Sequence, residues 1–231
     1  MLVISLFLNV VLGAYAVKRM YYIFVTMPKE EARAREERMF YKKWLIDLFA
    51  SRPVESSHIV FLGDSHTEMF GTSEFFGAHV LNRGISGDST GGVVLRLQEV
   101  TERKPKKIFL QIGINDLLQG FPLARTEANY QTILERIKRD SPNTVVYVQN
   151  LLPSSFGPLH NAVFRMQVQE MNTFLEALAK QHQVEFIDLY SLFQTEGRLN
   201  PLFDSGDELH LNAAGYALWA RAIEDLVKTE R

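Results

Sequence analysis

Beyond residue 57 the chain alternates two kinds of pattern. Short apolar runs occupy 58–62, ending at Gly63, then 80–81, 107–112, ending at Gly113, 144–148 and 184–189. Near-continuous apolar runs of this length predict strands of a parallel sheet covered on both faces. Between them, residues 90–103, 123–139, 161–182 and 213–228 carry apolar positions at helical spacing. Strand and helix in strict alternation predict a doubly wound α/β domain. Ligands of such folds bind beyond the carboxyl ends of the strands. Polar clusters fall there: Gly63-Asp64-Ser65-His66, Asn82-Arg83-Gly84 and Gly113-Ile114-Asn115-Asp116.

The first fifty-odd residues follow other rules. Residues 1–17 are uncharged, Lys18 and Arg19 follow, and 20–27 are apolar again, with Tyr21, Tyr22 and Phe24. A spanning helix needs about 20 apolar residues. This segment provides them if the two basic stems reach toward the headgroups and the tyrosines sit at the interface. Ala14-Tyr15-Ala16 has the small-x-small form of a signal-peptide cleavage site, but no Lys or Arg precedes the apolar run. A buried core helix has no room in a domain that begins near residue 58. The expectation is a single-pass membrane anchor over 1–27, a linking amphipathic helix within 28–56, and a catalytic-sized domain over 57–231. In the linker, Pro28 and Glu30-Glu31 suit a helix start. Met39, Phe40, Trp44, Leu45, Leu48 and Phe49 recur on one face, and Arg52-Pro53 ends it.

Composition narrows the function. At 231 residues with 46% hydrophobic and 23% charged, the chain can bury a core. Net charge is -2, without the basic excess of a nucleic-acid binder. There is no cysteine, which excludes disulfides, thiolate metal sites and a thiol nucleophile. The first 50 residues carry eight Lys/Arg against five acids, so a basic arm precedes an acidic globule and suits an anionic lipid surface. All these basic residues lie after the apolar run. The positive-inside rule then places the domain in the cytoplasm, whereas the Ala14-Tyr15-Ala16 signal points to export, so the side of the membrane stays open.

Ser65 stands at a strand-to-loop turn after Gly63. A serine nucleophile needs a base, and the base needs an orienting carboxylate. Asp207-Glu208-Leu209-His210 supplies both, because an acid three residues before a histidine lets one short turn hold both side chains together. Acyl transfer also needs donors for an oxyanion. Ser65 can offer its own N–H, Gly84 an unobstructed backbone N–H, and Asn115 a side-chain amide.

Taken in order on successive strand ends, Gly63-Asp64-Ser65, Gly84, Gly113-x-Asn115-Asp116 and Asp207-x-x-His210 resemble the SGNH (GDSL-type) hydrolase family. The resemblance covers about residues 57–228. It implies a flavodoxin-like three-layer sandwich with a five-stranded parallel sheet in the order 2-1-3-4-5. It implies ester hydrolysis with no cofactor and no metal, with Ser65 as nucleophile, Asp207 and His210 completing a triad, and Ser65, Gly84 and Asn115 forming the oxyanion hole. Two positions depart from the family: His66 replaces a leucine, and Glu208 stands where a glycine is common. Gln149-Asn150-Leu151-Leu152-Pro153 and Asn212-Ala213-Ala214-Gly215-Tyr216 are similar to the branch of platelet-activating-factor acetylhydrolase-like esterases, which implies short acyl groups.

The expected activity is therefore that of a serine esterase acting on a small acyl ester. An acyltransferase, a lysophospholipase or thioesterase, or a non-catalytic lipid- or carbohydrate-binding module are the alternatives, and a homodimer is allowed. Of the remaining polar residues, Asp64 is expected to bond its own loop's amides and Asp88 and Asp116 to brace loops. His66 is expected to line the pocket or lie on the surface, out of an acid's hold. His58, His79, His160 and His182 have no metal-ligand spacing. Gly91-Gly92 lacks the lysine of a phosphate loop.

Overall fold

The computed structural model describes Lys18 and residues 27–53, 58–154 and 162–229. The chain divides into two compact units, Met1–Leu48 and Phe49–Arg231. The first contributes most of helix α1, Met27–Ser51. The helix expected in the linker is there, with i,i+4 ion pairs from Arg33 to Glu37 at 2.8 Å and from Lys43 to Asp47 at 2.7 Å. Of the expected apolar stripe, Met39, Phe40, Trp44 and Leu48 are exposed. Among the described residues no helix is long and apolar enough to cross a membrane. The membrane helix expected over 1–27 lies, but for Lys18 and Met27, outside the described residues.

The second unit holds the sheet. Strands β1 (Ile59–Gly63), β2 (Val80–Gly84), β3 (Lys107–Gln111), β4 (Val145–Gln149) and β5 (Glu185–Ile187) lie in the order β2-β1-β3-β4-β5. All pairs are parallel. This is the expected 2-1-3-4-5 order. The crossover helices are α4 (Thr90–Thr101), α6 (Leu123–Asp140) and α7 (Ala162–His182), and α9 (Ala213–Lys228) closes the chain. Period-two alternation along each strand separates two cores. Val60, Leu62, Ile108, Leu110, Val146 and Val148 face one cluster with α4, α6 and α7. Ile59, Phe61, Phe109 and Tyr147 face the other, with α9 through Trp219 and Ile223.

On that second face the register stacks aromatic rings. Phe61 pairs with Phe109 and Phe109 with Tyr147, at ring separations of 4.7 and 4.6 Å. Each such pair adds about 0.5–1.5 kcal/mol beyond its burial. Lys107, at the start of β3, is buried and donates to the carbonyls of Leu226 at 2.6 Å and Thr229 at 2.5 Å. These are end groups of α9, which otherwise lack intrahelical partners. Arg103 does the same for the end of α1, donating to the carbonyls of Phe49, Arg52 and Pro53.

The sequence pattern does not reveal the shortest elements. Helices α2 (Ser65–Glu68), α3 (Thr72–Phe76), α5 (Ile114–Leu118) and α8 (Tyr190–Phe193) are single turns, too short for periodicity. Two-residue strands β6 (Gln194–Thr195) and β7 (Arg198–Leu199) form a hairpin. Strand β5 is shorter than the 184–189 run, because the Asn150 side-chain oxygen takes the N–H groups of Leu189 and Tyr190 and turns the chain out of the sheet.

Candidate active site

The loop that carries Ser65 is built on a strand end that tolerates no side chain. A Cβ on Gly63 would meet the Gln111 carbonyl and Thr67 Oγ1, so only glycine lets β1 turn there. Asp64 then caps α2, its carboxylate accepting the His66 N–H at 3.1 Å. Ser65 is the first residue of that helix and is 7% exposed.

The turn after β7 carries the other two expected residues. Asp207 Oδ1 accepts the N–H groups of His210 at 2.8 Å and Leu209 at 3.0 Å, so the carboxylate folds the turn about itself. Its other oxygen, Oδ2, lies 2.6 Å from His210 Nδ1. The far ring nitrogen, Nε2, lies 2.8 Å from Ser65 Oγ. A carboxylate only accepts, so Nδ1 bears the proton and Nε2 is left to accept from the serine. Burial acts to raise the Asp207 pKa, but the His210 side chain and the two backbone N–H groups outweigh it and hold the carboxyl well below the usual range. Glu208, where a glycine is common in the family, has φ +63°. That left-handed conformation costs a residue with a side chain about 1–2 kcal/mol.

The expected oxyanion donors fare differently. Asn115, on α5, directs one N–H of its amide to the Asp88 carbonyl at 2.9 Å, which fixes the side chain and leaves its second N–H. Gly84 is a correction. Its only N–H donates to Asn82 Oδ1 at 2.8 Å and is not available to an oxyanion. The glycine is needed for packing, since a Cβ there would collide with the Thr67–Glu68 backbone of α2. Three residues on, Gly87 is exposed at φ +72°, with nothing within 4 Å of a Cβ. Its loop is pinned on both sides, by Ser86 N–H to the Glu68 carboxylate and by the Asn115 bond to Asp88.

One arginine holds these pieces together. Arg96, on α4, donates from Nε to Asp88 Oδ2 at 2.8 Å and from its terminal nitrogen to the Gly63 carbonyl at 3.0 Å. Both side chains are buried. The end of β1, the loop after β2 and Asn115 are thus joined in one hydrogen-bonded chain. Asp116 does similar work, accepting from Thr90 N at 2.9 Å and Thr90 Oγ1 at 2.6 Å. Asp64, Asp88 and Asp116 therefore brace loops as expected. His66 does not lie on the surface. It is 2% exposed, with Nδ1 3.5 Å from the Asp64 carboxylate and Nε2 2.9 Å from the Leu209 carbonyl. Burial acts to lower its pKa, but the bond and charge of Asp64 and the Leu209 carbonyl outweigh this and leave it raised.

Comparison with known proteins then decides the family. A family model described as GDSL-like Lipase/Acylhydrolase matches residues 61–218. The chain belongs to that family. Platelet-activating factor acetylhydrolase IB subunit alpha1 of Pongo abelii is 30% identical over 178 residues, covering 73% of this chain and 74% of the relative. A solved structure described as a platelet activating factor from Streptococcus pneumonia superposes with a TM-score of 0.73 at 27% identity, covering 87% of this chain and 98% of that one. A GDSL-like lipase from Bacteroides thetaiotaomicron shares the fold, with a TM-score of 0.72 at 23% identity over 81% of this chain and 97% of its own. The chain thus has the fold of an acylhydrolase family, and Ser65, Gly87 and Asn115 lie beyond the carboxyl ends of β1, β2 and β3, with His210 beside Ser65.

Sequence reading misses Arg96, though a signal exists. Val93, Leu97 and Val100 mark the buried face of α4, and Arg96 sits among them as a charge at a core-facing position. We predict that Arg96→Met, which leaves the Asp88 carboxylate without its guanidinium, lowers unfolding free energy by about 3–5 kcal/mol. Urea denaturation checks this. The double variant Arg96→Met/Asp88→Asn should recover a large part of the loss. An Arg96→Met midpoint equal to wild type would show that the arginine does not hold the loops together.

Proposed function

We propose that the protein is a serine esterase that hydrolyses small acyl esters through an acyl-enzyme. The observation that carries the reading is the unbroken chain Ser65 Oγ, His210 Nε2, His210 Nδ1, Asp207 Oδ2, at 2.8 and 2.6 Å. In the first half-reaction His210 takes the Ser65 proton as Oγ attacks the ester carbonyl. The tetrahedral oxyanion is received by N–H groups, and His210 returns the proton to the departing alcohol. Water then enters on the same path, His210 takes its proton as the oxygen attacks the acyl carbon, and the imidazolium returns that proton to Ser65 Oγ as the C–O bond breaks and the acid leaves. Asp207 stays ionised and stabilises the imidazolium. We assign the oxyanion donors as the Ser65 N–H, the second amide N–H of Asn115 and the N–H of Gly87, with Gly87 in place of Gly84. A small acyl group is favoured by the platelet-activating factor acetylhydrolase relative, whose named substrate loses an acetyl group.

The direct test is Ser65→Ala. Hydrolysis of p-nitrophenyl acetate should vanish, and an organophosphonate that labels the wild-type serine should no longer add mass to the protein. A variant that keeps both would end the assignment. Asn115→Ala should lower kcat by about 10²–10³ with a smaller change in KM, because a donor aimed at developing charge acts in the transition state. Steady-state kinetics distinguish this from a substrate-binding role, which would raise KM alone.

Residues 1–27 are proposed as a membrane anchor on their sequence, a 27-residue apolar stretch interrupted by Lys18 and Arg19 and followed by a basic segment. Full-length protein should stay in the membrane pellet after a carbonate wash. Its recovery in the supernatant would refute the anchor, and a mature form beginning at Val17 would show a cleaved signal peptide.

A further inference from the structure

We propose that His66 is a positioning residue for this hydrolysis, its ring holding the peptide that carries His210. The inference rests on the serine-hydrolase reading above. Two chain segments meet twice in succession at the site. Ser65 Oγ meets His210 Nε2 at 2.8 Å, and one residue along each segment His66 Nε2 meets the Leu209 carbonyl at 2.9 Å. A carbonyl can only accept, so His66 Nε2 carries a proton and donates it. The ring has little freedom to turn away. It is 2% exposed, and Asp64 stands 3.5 Å from Nδ1 while also accepting the His66 N–H.

The turn that His66 grips needs an external hold. Its internal bonds, from Asp204 to the N–H groups of Gly206 and Glu208 and from Asp207 to those of Leu209 and His210, shape the turn without tying it to the sheet. Glu208 adds left-handed strain at its centre. Among the described residues, outward ties include those from Ser154 Oγ to the Glu208 carbonyl at 3.0 Å and from His66 to the Leu209 carbonyl, beside the His210–Ser65 contact itself. The His66 tie acts on the peptide joined directly to the His210 Cα. Because it starts from the residue after Ser65, it sets the nucleophile-to-base distance through one side chain, the His66 ring, and one peptide, that of Leu209. A leucine at this position fills similar space but donates nothing.

The experiment compares full-length His66→Leu and His66→Gln with wild type on p-nitrophenyl acetate. A glutamine amide nitrogen reaches the place of the histidine Nε2 and keeps the donor. His66→Leu should lower kcat about 10- to 100-fold with KM within about twofold, the signature of a displaced catalytic group. His66→Gln should restore most of it. The low-field proton resonance of the Asp207–His210 hydrogen bond should persist in wild type and His66→Gln and broaden or vanish in His66→Leu. Should His66→Leu not fold, His66→Asn, whose amide is too short to reach Leu209, takes its place with the same readings. Folded variants lacking the donor but retaining wild-type kcat, or a His66→Gln as impaired as His66→Leu, would overturn the proposal. A wild-type protein that neither hydrolyses esters nor reacts with organophosphonate would instead overturn the hydrolase reading itself.

Discussion

Everything at the site depends on the level alignment of three strand ends. Gly63 is in register with Gly84 on one side and Gln111 on the other, so β1, β2 and β3 release their chains at the same height. The stack of Phe61, Phe109 and Tyr147 fixes the register of β1, β3 and β4, because a slip of one residue would turn a strand's rings to the opposite face. The two glycines then allow the released chains to crowd together. Gly63 admits Thr67 and the Gln111 carbonyl, and Gly84 admits the backbone of α2. The helix that carries Ser65 is seated in the space that two missing side chains leave.

Alignment brings the loops close, and a buried ion pair keeps them in place. Arg96 reads three loops at once through Gly63, Asp88 and, by way of the Asp88 carbonyl, Asn115. Burying such a pair is a weak way to gain stability, since desolvation offsets most of the attraction. Its use at this site is directional: a guanidinium fork satisfies a carboxylate and a carbonyl in one fixed plane. An oxyanion hole needs donors that are already oriented before charge develops. The ion pair gives the proposed donors that rigidity in a region made of short helices and loops.

The large features are legible in the sequence because they are repeated signals. Five apolar runs, four periodic stretches and the order of polar clusters predict sheet, helices and site edge, and the observed strand order agrees. The acid-x-x-His spacing identifies Asp207 and His210 as one turn, and the turn is closed by Asp207 as that spacing requires. Failures occur where function depends on a single hydrogen bond. Gly84 reads as an open donor because glycine has no side chain, yet Asn82, two residues before it, takes its N–H. Nothing in the local sequence announces that bond, which also depends on where Asn82 anchors to the carbonyls of Thr67 and Phe70. His66 misleads for a related reason. Its neighbour in the chain is the proposed nucleophile, and only the fold shows that its ring turns inward to a segment 143 residues away.

Two aspartate–histidine pairs therefore lie side by side, their imidazole rings 5.4 Å apart, and environment separates their roles. His210 is half-buried, and its Nε2 faces a hydroxyl, a group that can give up a proton and take one back. His66 is sealed from solvent, and its Nε2 faces a carbonyl, which has no proton to give. The first ring can therefore act as a base, whereas the second can only donate and hold. The carboxylates follow the same division. Asp207 is 44% exposed and receives two backbone N–H groups besides the ring, so it remains an anion ready to balance an imidazolium. Asp64 is buried with its ring and caps α2, so its charge is spent on fixing geometry. On the proposed reading, the same two residue types serve proton transfer in one place and alignment in the next, and the atom opposite Nε2 decides which.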